Sequence, residues 1–289
     1  MKNEKVFKTQ WLGQELIIKT GRLALQADAS VLVQYGETVV MANVVQAKTE
    51  REGIDFFPLM VDFEEKLYAA GIIKGSQWIK REGRPSDQSV LTGRMIDRSI
   101  RPLFDQNDRR DIQVIISVLA VDGENDYDIV SLLAASAALS ISGVKWAGPI
   151  SGVRVGLINN EFVFNPNYKQ QAESSLDLIV AGTSERVLML EAGANEVPES
   201  IIADAIIAGQ KALKESIDLI NQLKKEVLPK EKTEKKELKS LEELKKEEEK
   251  KELLKKGEEW LKKNVSSILF DSIYYTKTER KAAVSAIKT

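Results

Sequence analysis

Residues 112–141 read IQVIISVLAVDGENDYDIVSLLAASAALSI, and the three parts of this stretch decide the fold. The first ten residues form a nearly unbroken apolar run of strand length, the pattern of a central strand covered on both faces. Ile129 to Ile141 is small and apolar all round, which predicts a buried helix, with Gly143 as its C-terminal stop. Between them Asp122, Glu124, Asp126 and Asp128 gather four carboxylates. A divalent-cation loop is one use for them, but the ordered spacing is incomplete and a terminal bidentate glutamate is missing. The expectation is instead that Asp128 caps the helix.

Working outward, Leu16–Ile18, Val31–Val33 and Thr38–Val45 are short β-forming runs punctuated by Thr20-Gly21 and Tyr35-Gly36-Glu37, which predicts an antiparallel sheet. Phe56, Phe57, Pro58, Leu59 and Val61 predict a further strand with core aromatics. On the other side, Val153–Ile158 and Glu161–Phe164 read as a hairpin through Asn159-Asn160. Leu176–Val180 and Arg186–Glu191 read as a second, across Gly182-Thr183-Ser184. Pro198 and Glu199 then open one long amphipathic helix carrying Ile202, Ala205, Ile206, Leu213, Ile217 and Ile220. The sum is an α+β layered domain, a mixed sheet with packed helices.

One stretch stands apart by charge. From 74 to 101 there are seven positives (Lys74, Lys80, Arg81, Arg84, Arg94, Arg98, Arg101) and three negatives (Glu82, Asp87, Asp97), a local excess of four in a chain whose net charge is −2. Pro85-Ser86-Asp87 predicts a helix start with Ser86 as N-cap, and Pro102 predicts its end. On that helix Arg94, Arg98 and Arg101 share one face and Ile96 and Ile100 the other. Guanidinium groups in a row match a line of phosphates, and Trp78 beside Lys80 and Arg81 offers a surface for base stacking. The competing use is a salt-bridged helix face, with Asp97 pairing Arg94 or Arg101.

The 289 residues, 43% of them hydrophobic, suffice for one large domain or two ordinary ones. Without cysteine there is no disulfide or thiolate metal site, and without histidine the usual catalytic triads and most zinc chemistry are excluded. No stretch approaches the roughly 20 apolar residues of a membrane span, and the N-terminus lacks a signal-peptide core, so a cytoplasmic protein is expected.

The segment GSQWIKREGRPSD…LTGRMIDRSIRPLF, from Gly75 to Phe104, resembles the first core domain of the polynucleotide phosphorylase family. The likeness continues through GRLALQADASVLVQYGETVV, DIVSLLAASAALSISG and LDLIVAGTSERVLMLEAGANEVPE. The resemblance implies an RNase PH-like core and a loop at the mouth of a central channel that grips single-stranded RNA. Trp78 and Ile79 stand at the family's aromatic pair, with isoleucine replacing one ring, and Lys80 and Arg81 stand at its basic pair. With Arg84, Arg94, Arg98 and Arg101 they form the expected RNA-binding set. The family degrades mRNA from its 3′ end with inorganic phosphate as co-substrate, uses Mg2+, assembles as a homotrimer and joins RNA-degradation partners.

The resemblance also bears on chemistry. In the family's catalytic core, acidic residues before a segment like DFKVAG hold the metal; here Asp177 is kept but serine replaces its acidic partner, and Asn125-Asp126-Tyr127-Asp128 stands where phosphate would sit. No catalytic or metal-ligating residue is therefore expected, and this core is read as binding RNA without cleaving it. The alternatives are an active single-core RNase PH-type exoribonuclease and a noncatalytic structural ring subunit. From 224 to 263 there are 15 lysines and 12 glutamates, a helical, solvated stretch, followed by a small apolar cluster from Trp260 to Tyr275. Residues 1–228 are read as the first core domain and 229–289 as a charged, all-helical linker domain, cut off at its end.

Overall fold

The structure, a computed structural model, describes residues 4–73, 84–228, 241–265 and 273–288. Buried and half-exposed residues alternate along β3 (Ala29–Tyr35) and β4 (Thr38–Glu50), so Val31, Val33, Val40, Ala42 and Val44 fill the core. With β1 (Lys5–Trp11), β2 (Gln14–Thr20), β5 (Leu59–Glu65) and β6 (Arg110–Ala120) they form a sheet of order β1-β2-β3-β4-β6-β5. The pair β5–β6 is parallel and the other pairs are antiparallel. The parallel pair follows from the crossover through α1 (Asp87–Ile100), since a chain that returns to run alongside itself needs such a connection. At the β3–β4 turn Gly36 has φ +60°, which favours glycine, and a Cβ there would lie 2.6 Å from Asn125 Nδ2 and press on the side chains of the acidic loop.

Two expectations for this sheet are corrected. β6 lies inside the sheet, between β4 and the edge strand β5, but its burial alternates, with Gln113 and Ile115 only half-buried, because the helices pile onto one face. The strand predicted from Phe56 begins only at Leu59. Pro58 has no N–H to give to a ladder; Phe57 is buried at a ring-centroid distance of 5.1 Å from Phe104, while Phe56 is exposed.

The helix α2 (Tyr127–Ser142) lies at the centre, packed on β3 and β4 and on β7 of a second sheet. Its Leu132, Leu133 and Leu139 are fully buried, each contributing about 1.5–3 kcal/mol by leaving water. The cap is Asp126, whose side chain accepts from Asp128 N, and not Asp128. The Asp128 carboxylate is turned inward instead, toward a buried arginine. Gly143 ends the helix in the left-handed conformation, as expected.

The second sheet, of order β10-β9-β7-β8, is antiparallel and made of β7 (Ser151–Ile158), β8 (Glu161–Phe164), β9 (Leu176–Gly182) and β10 (Val187–Ala194). Asn159 and Asn160 both take positive φ at the hairpin turn. The short α3 (Tyr168–Glu173) joins β8 to β9. β7 is buried on both faces, by α2 on one and by α4 (Glu199–Ala212) on the other. A Cβ on Gly209 would lie 2.9 Å from Val180 Cγ2, which is how closely α4 sits on the sheet.

The predicted single C-terminal helix is two, α4 and α5 (Lys214–Val227). At the break Trp11 Nε1 donates to Ala212 O at 2.9 Å, and Leu213 N steps back only to Gln210 O. The break lets α4 cover β9 and β7 while α5 packs against α2 and β1.

The chain divides into two compact units, Met1–Lys232 and Thr233–Thr289. The second contains α6 (Leu241–Asn264) and α7 (Lys277–Lys288), the latter opened by Thr276 and Glu279, each accepting from the other's backbone N–H. Of the apolar cluster expected here, Trp260, Leu261, Ile273 and Tyr275 are exposed and Val265 is buried, while Ile268, Leu269 and Phe270 lie outside the described residues.

Candidate nucleic-acid interface

Ser86 caps α1 as its sequence predicts, accepting from Ser89 N at 3.0 Å. Met95, Ile96 and Ile100 anchor the helix in the core and leave the arginines outside. The three arginines have three different surroundings. Arg94 is exposed and makes no ion pair with any described residue. Arg98 Nη2 lies 2.8 Å from Glu191 Oε2 on β10, but both side chains are more than half exposed. Such a pair contributes about 0–1 kcal/mol and yields to a competing phosphate. Arg101 is bound inward, to Asp97 at 2.7 and 3.0 Å and to the carbonyls of Phe57 at 3.3 Å and Leu59 at 3.1 Å. It fastens the start of β5 to the end of α1. Trp78, Ile79, Lys80 and Arg81 lie outside the described residues.

Arg84, exposed, stands where the described chain resumes after the basic loop. It lines a cavity of about 630 Å³ together with Phe63, Glu65, Lys66, Ser86 and Tyr127. Glu65 holds the two sides of this opening together: Ser86 Oγ donates to its Oε2 at 2.8 Å and Tyr127 Oη to its Oε1 at 2.5 Å. Burial pulls the Glu65 pKa up, but the hydroxyls of Tyr127, Ser89 and Ser86 outweigh it and the net shift is down. Burial and the same bond raise Tyr127. The strand leading into the basic loop and the helix leading out of it are thus joined at one carboxylate.

Next to this surface is a charge centre that the motif reading missed. Arg154 on β7 has a side chain only 10% exposed, and its guanidinium meets Asp177 of β9 through Nη1 at 2.5 and 2.7 Å. Nη2 meets Asp126 at 3.2 Å and also Asp128. Arg154 and Asp177 are diagonal neighbours across the β7–β9 pair, since Arg154 faces Ile179. Burial alone would depress Arg154, but Asp128, Asp126 and Asp177 raise it and keep it charged. Asp128, fully buried and beside Asp126, is pushed up to about 7 against the pull of Arg154. Burial also raises Asp122, yet the N–H groups of Asn125, Glu124 and Glu37 and the Asn125 amide overcome it and hold it at about 2.

The centre forms one wall of a second cavity, about 240 Å³, shared with Gln88, Thr92 and Glu191. Its donor set does not fit the divalent ion that the resemblance implies. The guanidinium lies between Asp128 and Asp177, where a metal would have to sit. Among the described residues no group of three or more His, Cys, Asp or Glu side chains could hold one. The signal in the sequence was a lone arginine in the apolar run VRVGLI, because a buried cation in a strand requires carboxylate partners.

Residues 13–145 match the model described as 3′ exoribonuclease family, domain 1, and residues 148–212 that of 3′ exoribonuclease family, domain 2. The polyribonucleotide nucleotidyltransferase of Brucella ovis is 53% identical over 223 residues, 77% of this chain and 31% of that protein. That of Brucella suis is 52% identical over the same length. The chain thus spans about a third of the length of the curated relatives it matches. Among solved structures, rice (Oryza sativa) Rrp46 aligns with a TM-score of 0.58 at 15% identity, covering 76% of this chain and 94% of that one. The Archaeoglobus fulgidus exosome with RNA bound to the active site aligns with a TM-score of 0.51 at 16% identity, covering 74% and 86%. These two share the fold, two sheets around a central helix with further helices packed on them. With both domain models matched in order and the RNase PH-like fold present, the chain belongs to the 3′ exoribonuclease family.

Proposed function

We propose that the chain is the RNA-gripping, scaffolding N-terminal portion of a phosphate-dependent 3′-to-5′ exoribonuclease, a polyribonucleotide nucleotidyltransferase acting in mRNA degradation, and that this core does not itself cleave. The observation that carries the second half is the bonding of Arg154 to Asp177 and Asp128. The carboxylate that would serve a metal is already held by a guanidinium. In the whole enzyme Mg2+ would supply charge stabilisation on the phosphoryl oxygens and inorganic phosphate would be the nucleophile; no residue of this core is read as holding either.

What this chain contributes is grip. Lys80, Arg81 and Arg84 meet successive phosphates, Arg94 extends the same cationic surface, and Trp78 stacks on a base beside Ile79. Glu65 and Ser86 brace the ends of the loop that carries them. A homotrimeric ring, a cytoplasmic setting and partners among RNA-degradation proteins go with the kinship to polyribonucleotide nucleotidyltransferases. No helix among the described residues is long and apolar enough to cross a membrane.

The test is to incubate the purified chain with a labelled single-stranded oligoribonucleotide, phosphate and Mg2+. Binding without release of nucleoside diphosphates is expected; their release would make this an active single-core phosphorolytic enzyme. A second reading, a structural ring subunit without RNA contact, draws on the ion pairs that engage Arg98 and Arg101. Failure to crosslink RNA at residues 78–84 would favour it.

A further inference from the structure

Arg154 on β7, Ile179 on β9 and Glu191 on β10 stand in one row across the second sheet, since Ile179 is the direct partner of both of the others. Asp177, two residues back along β9, points from the same face. This face lies against α1, whose Gln88, Thr92 and Met95 form the other side of the 240 Å³ cavity. The cationic helix therefore has two carboxylates beside it, and they are used differently. Both oxygens of Asp177 are held by Arg154. Glu191 turns to the helix, its Oε2 accepting from Arg98 Nη2 at 2.8 Å. We propose that Glu191 sets the strength of the RNA grip: it takes the place of a phosphate at Arg98, and the strand must displace it to be held there.

The pair is suited to exchange. Both side chains are more than half exposed, and Arg98 gives one of its five N–H donors to Glu191 and makes no other side-chain bond among the described residues. Arg101, in contrast, spends its donors on Asp97 and two backbone carbonyls. The helix is anchored without Glu191, by the buried Met95, Ile96 and Ile100. Phosphate and carboxylate make the same charge-assisted bond to a guanidinium, so the two compete for it. While Glu191 is seated, its charge offsets that of Arg98 and repels an approaching strand. Arg94, one turn earlier on the same face and without an ion pair among the described residues, is open to the strand from the start. Once Glu191 lets go, Arg98 carries the line of cations on from Arg94 to the seam between α1 and β10.

This inference rests on the reading of the chain as an RNA-gripping core. The probe is a labelled single-stranded oligoribonucleotide, titrated in phosphate-free buffer at several salt concentrations into the full 289-residue chain, Glu191→Gln, Arg98→Ala and the double variant. Glu191→Gln should bind roughly two- to fivefold more tightly, the range of an exposed ion pair. Its log–log salt slope should be steeper by about 0.7, one more phosphate contact on a single strand. In the Arg98→Ala background the same change should give little or no gain, which ties the effect to Arg98. A merely structural clamp would lower the melting temperature of Glu191→Gln and leave the slope where it was. The proposal is overturned if the original chain binds RNA and Glu191→Gln binds no more tightly, or if the gain is as large without Arg98; the RNA-gripping reading survives both results. If neither the original chain nor Glu191→Gln binds RNA, that reading falls and the proposal with it.

Discussion

Arg154 on β7 holds both oxygens of Asp177 on β9 through a single nitrogen, at 2.5 and 2.7 Å. The same guanidinium reaches back to the first turn of α2, so one buried side chain joins the second sheet to the central helix. Removing the two partners should have unequal effects. Arg154→Met leaves the carboxylates of Asp126, Asp128 and Asp177 without their cation and should cost about 3–5 kcal/mol in metal-free buffer. Asp177→Asn, at a half-exposed position, should cost about 1 kcal/mol or less. Urea denaturation followed by circular dichroism measures both; equal losses would mean that the centre is not the tie described.

The same centre gives a pH dependence. Burial and the neighbouring Asp126 push Asp128 to about 7, above its ordinary 3.8. A folded-state pKa above the unfolded one means that the native chain binds the proton more tightly. The stability this proton contributes is full below about pH 4 and is lost as pH rises through about 7. Denaturation midpoints of the unsubstituted chain minus those of Asp128→Asn, taken from pH 4 to pH 8, should decline with pH. A rising difference would reverse the sign assigned to Asp128.

Arg94 and Arg101 share a face of α1 and should behave oppositely. Arg101→Ala removes the bonds to Asp97, Phe57 O and Leu59 O and should cost about 1–2 kcal/mol in stability. Arg94→Ala should change stability by no more than about 0.5 kcal/mol while weakening RNA binding. Paired melting and fluorescence-anisotropy titrations separate the two roles.

What was legible in the sequence was local. The Ser86 cap, the Asn159-Asn160 turn, the Gly143 stop and the burial of α2 each depend on a few consecutive residues, and each forms as read. What was not legible depends on residues far apart in the chain. Arg154 and Asp177 are 23 positions apart, and Arg101 and Leu59 are 42. Helical spacing shows that three arginines share a face, but it does not say which of them a distant carbonyl will claim. β6 looked covered on both sides because its composition is apolar; which faces are covered is set by where the helices stack. The α4–α5 break at Leu213 likewise depends on Trp11, at the other end of the domain.

The bond between Ser86 and Glu65, on either side of the basic segment in the chain, is lost when the cap is removed. Ser86→Ala deletes both the bond from Ser89 N and the one to Glu65, and should cost about 1 kcal/mol. It should also weaken RNA binding while every cationic side chain stays in place. Replacement by threonine, which keeps the hydroxyl, should restore both; if alanine leaves RNA affinity unchanged, the brace has no part in binding.

The central claim is that this core grips single-stranded RNA through cations on the loop and at the start of α1. It is tested most directly by the salt dependence of affinity for a labelled oligoribonucleotide, compared between the original chain and Lys80→Ala/Arg81→Ala/Arg84→Ala. The account predicts weaker binding and a log–log salt slope shallower by about 2, from three lost phosphate contacts at roughly 0.7 each on a single strand. Unchanged affinity and an unchanged slope would contradict it.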